Sequence, residues 1–154
     1  MTELLTKEKP SLCYQCGKCT AGCPVADEMD LTPHQIMHLL SIGAKQRVLE
    51  SNTPWICAGC FTCAVRCPND IDITTVMDDI RQEALAAGIP CPKPDVLKFH
   101  RTFLADIGRR GRIYEMRLMG EYNMRTLRPF HNMGLAPKMV LSRRLHLLPP
   151  QLSR

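Results

Sequence analysis

Apolar residues recur at helical spacing in two stretches of the first hundred residues. The first stretch opens with Thr32-Pro33-His34-Gln35, in which an N-cap threonine, a proline at the first helical position and a glutamine at the third match a capping box. The second follows Asp72, the predicted N-cap, and ends at Gly88 and Pro90. The apolar positions are Ile36, Leu39, Leu40, Gly43, Ala44 and Val48 in the first stretch, and Ile73, Val76, Met77, Ile80 and Ala84 in the second. This spacing predicts two amphipathic helices.

A proline-rich segment over residues 89–94 separates these stretches from the remainder of the chain. Beyond it, Val96, Phe99, Phe103 and Ile107 predict a third helix that Gly108 would end. We predict a fourth helix over residues 113–124 and a short one over residues 136–148. No stretch alternates polar and apolar residues as a half-buried strand does. The expected fold is therefore all-α, with one domain over residues 1–92 and a helical extension over residues 93–154.

A cysteine run precedes each of the first two predicted helices. The pattern Cys-x-x-Cys-x-x-Cys-x-x-x-Cys-Pro occurs twice, at Cys13, Cys16, Cys19 and Cys23 and again at Cys57, Cys60, Cys63 and Cys67. Because each run leads into an amphipathic helix, the first domain is an internal repeat with pseudo-two-fold character.

The spacing of these cysteines is typical of iron–sulfur ligation. A [4Fe–4S] cube needs one thiolate on each of its four irons, and three cysteines spaced by two residues can wrap three corners. In two-cluster proteins the fourth cysteine, the one before proline, serves the other cluster. We therefore predict two [4Fe–4S] clusters with crossed ligation. The first takes Cys13, Cys16, Cys19 and Cys67, and the second takes Cys57, Cys60, Cys63 and Cys23. Gly17, Gly22 and Gly59 lie inside the loops. Lys18 and Arg66 are near enough in sequence to raise cluster potentials, and the alternative is that either is simply solvated.

Other uses of cysteine and histidine fit the pattern less well. Zinc sites usually present cysteines in pairs, and an odd count of nine argues against a closed set of disulfides. The first nine residues do not have the pattern of a signal peptide, and no apolar run is long enough to cross a bilayer. We therefore expect reduced thiols in the cytoplasm. Cys91, between two prolines, is interpreted as a structural thiol. His34 and His38 are interpreted as surface or packing residues, since no third metal ligand accompanies them.

Charge divides the chain unevenly. Residues 1–100 carry nine Lys or Arg against twelve Asp or Glu, a net −3, whereas residues 101–154 carry eleven against three, a net +8. Aromatic residues are only 5% of the chain, which disfavours base stacking on nucleic acid and makes the core depend on aliphatic side chains. Four arginines lie beside apolar side chains in the basic part, at Arg109, Arg110, Arg112 and Arg117. We interpret this part as a docking element for a partner protein.

Nothing in the sequence forms a complete active site. The segment Gly108-Arg-Arg-Gly111 lacks the spacing and the preceding strand of a dinucleotide-binding loop. No Ser/His/Asp or Cys/His set stands out. Two clusters without a substrate pocket predict an electron carrier that has no catalysis of its own.

The two cysteine runs and part of the extension resemble the C subunit of heterodisulfide reductase. The similar segments are Ser11-Leu-Cys-Tyr-Gln-Cys-Gly-Lys-Cys-Thr-Ala-Gly-Cys-Pro24, Trp55-Ile-Cys-Ala-Gly-Cys-Phe-Thr-Cys-Ala-Val-Arg-Cys-Pro68, Phe99-His-Arg-Thr-Phe103 and Gly111-Arg-Ile-Tyr-Glu115. We expect the resemblance to extend over nearly the whole chain. It implies a helical ferredoxin that carries electrons from the A subunit, which contains flavin and clusters, to the B subunit, whose cysteine-rich CCG motifs hold the disulfide-reducing centre.

The runs alone leave a second assignment open, because other helical ferredoxin domains share them. The alternative is the iron–sulfur subunit of a membrane-associated dehydrogenase that passes electrons to quinone. The chain contains no Cys-Cys pair, so a disulfide-reducing module would have to be another polypeptide.

Overall fold

The computed structural model describes residues 10–127 together with 139, 141 and 142. In these residues every regular element is helical and no strand occurs, which confirms the all-α prediction. The α-helices are α1 (Lys18–Ala21), α2 (Pro33–Ser41), α3 (Lys45–Leu49), α4 (Thr53–Ile56), α5 (Thr62–Val65), α6 (Ile73–Ala86), α7 (Pro94–Arg110) and α8 (Glu115–Arg125). Short 3₁₀ turns cover Pro10–Leu12 and Ala26–Glu28.

The chain divides into two compact units, Met1–Lys93 and Pro94–Arg154. The roles given above to residues 1–92 and 93–154, cluster binding and docking, remain predictions. Most of the helix predicted over residues 136–148 falls outside the part of the chain that the structure describes.

The first unit is built on an aliphatic core in which α2, α3, α4 and α6 meet. Its largest fully buried side chains include Ile36, Met37, Val48, Val76, Met77 and Ile80. Trp55 is the only aromatic residue that is buried in this unit among the described residues. The scarcity of aromatic residues therefore predicted the composition of the core correctly.

The first predicted helix is not continuous. It breaks after Ser41, and a separate helix α3 begins at Lys45. Gly43 takes a left-handed backbone (φ 78°), and the Ala44 N–H donates to the Leu39 carbonyl at 2.8 Å. This bond satisfies a carbonyl at the end of α2, so Gly43 ends the helix within the apolar pattern.

Helix α6 begins and ends close to where the sequence predicted. The Asp72 carboxylate accepts hydrogen bonds from the N–H groups of Thr74 and Thr75 at 3.0 and 3.1 Å, as an N-cap does. After Ala86 the chain passes through Gly88, whose φ is 69°. The Ile89 N–H then donates to the Ala84 carbonyl at 2.9 Å, which closes the helix.

The second unit contains α7 and α8 around a small cluster of side chains. Phe99 contacts Tyr122 edge-on, with ring centroids 5.6 Å apart, and Leu118 is buried. The prediction that Gly108 ends α7 is wrong, because the helix continues to Arg110. The left-handed residue is Gly111 (φ 67°), whose N–H donates to the Ile107 carbonyl at 2.7 Å. Gly108 has no such backbone conformation, so the helix passes through it.

No helix among the described residues combines the length and the apolar character that a membrane span would need.

Candidate iron–sulfur sites

All nine cysteines are unpaired thiols in the structure. The eight cysteines of the two runs lie on or beside two short helices, α1 and α5, each of which follows a left-handed turn. No group of three or more His, Cys, Asp or Glu side chains in the described residues converges as the ligands of one metal ion do. A four-iron cube would not require such convergence, because each thiolate binds a different iron.

The first three cysteines of the first run and the last cysteine of the second share one cavity. Cys13, Cys16, Cys19 and Cys67 line it, together with His34 and the backbone around Gly17. Crossed ligation requires this set of four thiols to lie together. The donor chemistry of the cavity therefore fits a [4Fe–4S] cluster, and ligation by these residues remains a prediction.

A contact between the two runs holds Cys67 close to this cavity. The Asn69 side-chain amide donates to the Leu12 carbonyl, the residue just before Cys13. Helices α1 and α5 also pack against one another. The fourth cysteine of the second run is thereby brought to the loop of the first run. Asn69 could not be identified from the sequence, because a bond between residues so distant in the chain leaves no local pattern.

Three of the four cysteines assigned to the second cluster, Cys57, Cys63 and Cys23, lie near enough to one another to interact electrostatically. Burial raises the pKa of the Cys57 thiol, and the nearby charges of Cys63 and Cys23 raise it further, while Arg81 lowers it. Crossed ligation predicts that Cys23 lies near Cys57. Cys60 is exposed, and a hydrogen bond to Thr62 lowers the pKa of its thiol.

Burial and hydrogen bonding act in opposite directions on the cysteines of both sites. Cys19 is the only buried cysteine of the eight. Burial raises the pKa of its thiol, and hydrogen bonds from Thr20 oppose that shift. Since the thiolate is the form that binds metal, burial alone would disfavour ligation. Hydrogen bonds from Thr20 beside Cys19, and a backbone hydrogen bond from Gly59 together with the Arg81 guanidinium beside Cys57, oppose that penalty without cancelling it.

The histidines behave differently from one another. His34 is half-buried, lines the first cavity and shares a hydrogen bond with the Thr20 hydroxyl at 2.9 Å, whereas His38 is exposed. Both observations agree with the interpretation of the pair as packing or surface residues. Cys91 is half-buried and its thiol donates to the Lys93 carbonyl at 3.2 Å.

Arg81 is the residue near the second site that sequence reasoning missed. Its guanidinium donates to the carbonyls of Pro54 and Cys57 and contacts Asp78. One indication of its role was present in the sequence. Arg81 lies on α6 four residues after Met77, at the border of the apolar face, where a charged side chain can reach a neighbouring segment.

Comparison with known proteins finds a similar family for this region. The profile of the family described as "4Fe-4S dicluster domain" matches residues 12–72. The match includes all eight cysteines of the two runs. The match supports iron–sulfur clusters as the cofactor class of residues 12–72, and the description of the family agrees with two of them.

Curated relatives of the dicluster domain are C subunits of heterodisulfide reductases. The chain is 35% identical over 80 residues to the C subunit of the H₂:CoB-CoM heterodisulfide, ferredoxin reductase of Methanothermobacter marburgensis, covering 52% of this chain and 43% of the relative. It is 40% identical over 81 residues to the C subunit of the ferredoxin:CoB-CoM heterodisulfide reductase of Methanosarcina acetivorans, covering 53% of this chain and 32% of the relative. The C2 subunit of the H₂/formate:CoB-CoM heterodisulfide, ferredoxin reductase of Methanococcus maripaludis is 37% identical over 84 residues, covering 53% of this chain and 45% of the relative.

These relatives confirm the resemblance to the C subunit of heterodisulfide reductase. The chain spans less than half the length of the three relatives described. The alignments also cover about half of this chain, less than the nearly complete resemblance expected from the sequence.

Proposed function

We propose that this chain is an electron-transfer subunit of a heterodisulfide-reductase-like complex. It would relay electrons through two [4Fe–4S] clusters, from an A subunit that contains flavin and iron–sulfur centres to a disulfide-reducing B subunit with CCG motifs. The observation that carries the proposal is the cavity that gathers Cys13, Cys16, Cys19 and Cys67 from both runs. The cytoplasm is the compartment that its unpaired thiols favour.

The residues of this chain would hold the clusters and leave a route to each. When bound, such a cluster takes up and releases electrons, and the protein sets its position and potential. The second cysteine of each run, Cys16 in the first and Cys60 in the second, is exposed. Each site therefore presents one ligand to the surface, where a partner could approach. Two surface routes are what a relay between two partners requires.

The proposed role includes no catalysis by this chain itself. Its relatives are named as subunits of reductases, so the disulfide chemistry would belong to another subunit. The alternative of a dehydrogenase subunit that passes electrons to quinone gains no support from these relatives. Nucleic acid is not a proposed partner.

The first experiment is metal analysis of the anaerobically purified chain. We expect about eight irons and about eight acid-labile sulfides per chain, and a paramagnetic signal from interacting centres after reduction. Stoichiometric zinc with little iron would refute the proposal. Purification of the native complex would then identify its neighbours, and a transmembrane quinone-binding protein in place of a CCG protein would favour the alternative.

The basic extension is proposed as a docking element of this chain. Arg109, Arg112 and Arg117 are exposed, and Met116 and Met119 are half-buried nearby in sequence. Interfaces are enriched in arginine and methionine and depleted in lysine, and residues 101–154 contain ten arginines and one lysine.

One arginine of the predicted patch has a structural role. Arg110 is half-buried, its Nε lies 3.7 Å from the Asp106 carboxylate, and its guanidinium lies 5.9 Å from the Tyr114 ring centroid. Asp106 is buried and accepts from the Tyr114 N–H at 3.0 Å. Reversing the charge of Arg110 would disturb this turn, so a test of docking should leave Arg110 unchanged.

The docking test is therefore the double substitution Arg109→Glu with Arg112→Glu. We expect weaker assembly with the partner subunits, with increased salt sensitivity and both clusters retained. Arg47→Glu, at an exposed position of α3 outside the extension, is the control and should assemble normally. Normal assembly of the double variant across moderate salt would show that these arginines are only solvated surface.

A further inference from the structure

Arg81 holds a positive charge against the start of the second cysteine run. Its Nη2 donates to the Cys57 carbonyl at 3.2 Å, its Nε donates to the Pro54 carbonyl, and its Nη1 lies 2.7 Å from the Asp78 carboxylate. The side chain is 19% exposed. A guanidinium with three partners in this position has little freedom to move away from the run.

The surrounding fold fixes that position further. Helix α6 is anchored in the core by Val76, Met77 and Ile80, and it packs against α4, which leads directly into Cys57. The arginine thus connects the core helix to the loop. Its planar group, with donors in a fixed fork, is suited to bridging two carbonyls, which an ammonium on a flexible stem does less well.

Among the described residues, no arginine or lysine occupies the equivalent position beside the first run. When α2 and α6 are aligned from their first residues, Pro33 and Ile73, Arg81 corresponds to Ser41. Ser41 is exposed, and its hydroxyl donates to the His38 carbonyl at 2.7 Å, within its own helix. Lys18 lies near the first run and lines the first cavity, but it is exposed, so water screens its charge.

A fixed cation affects a redox centre in a predictable direction. Reduction adds a negative charge to the centre, so a nearby positive charge favours the reduced form and raises the reduction potential. The Asp78 carboxylate opposes Arg81, but its side chain is 52% exposed and therefore well solvated.

We propose that Arg81 is a positioning residue that orders the loop before Cys57 and selectively raises the reduction potential of the second cluster. The inference rests on the proposed function, because it assumes clusters at both sites. It goes further by making the two sites electronically unequal. The second cluster is then more easily reduced than it would be without the guanidinium. Its predicted ligands are Cys57, Cys60, Cys63 and Cys23.

The test is an anaerobic redox titration of the cluster-loaded chain, followed by electron paramagnetic resonance. In Arg81→Gln we expect one of the two midpoint potentials to fall by the equivalent of about a threefold to tenfold change in the reduction equilibrium, tenfold being about 59 mV for one electron. Arg81→Lys retains the charge but not the fork and should shift the potential less. Arg47→Gln, at an exposed position of α3, is the control and should change neither potential.

Asp78→Asn provides a test that retains the arginine. Removing the carboxylate beside Arg81 should raise the potential of the same centre, the opposite direction to Arg81→Gln. This variant decides the question if Arg81→Gln fails to load its second cluster. The affected centre is identified by adding Cys16→Ser or Cys60→Ser, because an oxygen ligand alters the spectrum of the cluster that it binds.

The failure of this inference and that of the proposed function can be distinguished. A wild-type chain that does not hold two four-iron clusters contradicts the proposed function. A wild-type chain that holds both, with Arg81→Gln and Asp78→Asn leaving each potential unchanged or shifting the two equally, overturns only the role of Arg81.

Discussion

The two cysteine runs share a backbone conformation although their residues differ. Each has two left-handed residues, at the second and fourth positions after its first cysteine: Gln15 and Gly17 in the first run, and Gly59 and Phe61 in the second. Glycine therefore occupies one of the two positions in each run, but a different one. A non-glycine residue in this conformation costs about 1 kcal/mol or more. That both runs bear this cost shows that the loop shape is required at both sites.

The runs differ in what surrounds this common loop. A hydroxyl and an imidazole, from Thr20 and His34, accompany the first site, and a guanidinium from Arg81 accompanies the second. A repeated fold thus supplies equal sites for cluster binding, and residues outside the repeat pattern make the sites unequal. The difference between the runs is therefore more informative about electron transfer than their similarity.

The strongest test of the two-fold arrangement removes each fourth cysteine in turn. We expect Cys67→Ala to remove the first cluster and leave the second, and Cys23→Ala to do the reverse, because each completes the site of the other run. The iron content should fall from about eight to about four per chain in either variant. Adding Cys60→Ser should change the spectrum of the remaining centre in Cys67→Ala only.

The control for this pair is Cys91→Ser, which lies outside both runs and should retain both clusters. If Cys67→Ala instead removes the cluster at Cys57, Cys60 and Cys63, ligation is local and the crossed assignment is wrong.

The sequence predicted the features of the fold that depend on local pattern. The cysteine repeat, the capped start of α6 and its glycine end follow from residues close together in the chain. Two glycines were interpreted incorrectly for a physical reason. Gly43 interrupts an apolar pattern and ends α2, whereas Gly108 lies within α7. Glycine permits a helix end, and the hydrogen bonds that follow it determine whether the helix ends there.

Contacts between distant residues could not be predicted in this way. The Asn69 amide reaches Leu12, and the Arg81 guanidinium reaches Pro54, because tertiary packing brings those segments together. Neither side chain belongs to a motif. The cysteine spacing could therefore indicate the candidate metal ligands, but it could not indicate which neighbours adjust the charge at each site.

A second prediction compares the helix starts that follow the two runs. Asp72 accepts three hydrogen bonds at the start of α6, two from backbone N–H groups and one from the Thr75 hydroxyl at 2.9 Å. At the start of α2 the Thr32 hydroxyl, which Thr32→Ala removes, takes part in a capping box and donates to the Gln35 side chain at 2.9 Å. We expect Asp72→Ala to destabilise the first unit by about 1–2 kcal/mol and Thr32→Ala by about 0.5–1 kcal/mol.

The measurement for this pair is the thermal midpoint of helical circular dichroism, taken anaerobically on cluster-loaded protein. Asp72→Asn is the matched control, since asparagine also caps helices well, and its midpoint should stay near that of the wild type. A larger loss in Thr32→Ala than in Asp72→Ala would mean that α2 contributes more to stability than α6.

The substitution with the smallest expected effect on stability is Gly22→Ala, at the place where the two cysteine runs meet. Gly22 and Arg66 occupy the same repeat position, immediately before the fourth cysteine, and the structure packs one against the other. A Cβ on Gly22 would lie 2.5 Å from Arg66 Nη1 and 2.9 Å from its Cδ, so the arginine fits only because its counterpart is glycine. Arg66 is exposed and can swing outward, so Gly22→Ala should cost less than about 1 kcal/mol.

The effect of this substitution should also depend on Arg66. The φ of Gly22 is −101°, which alanine adopts without strain, so in an Arg66→Ala background Gly22→Ala should stabilise the unit by about 0.4–1 kcal/mol. Gly17→Ala is the control, because its φ of 73° penalises alanine whatever the side chain at residue 66. Two thermal-midpoint cycles, each combining one of the glycine substitutions with Arg66→Ala, should therefore show coupling for Gly22 with Arg66 and none for Gly17. Equal effects of Gly22→Ala in both backgrounds would mean that the arginine does not rest on Gly22, and that the two runs do not meet through these side chains.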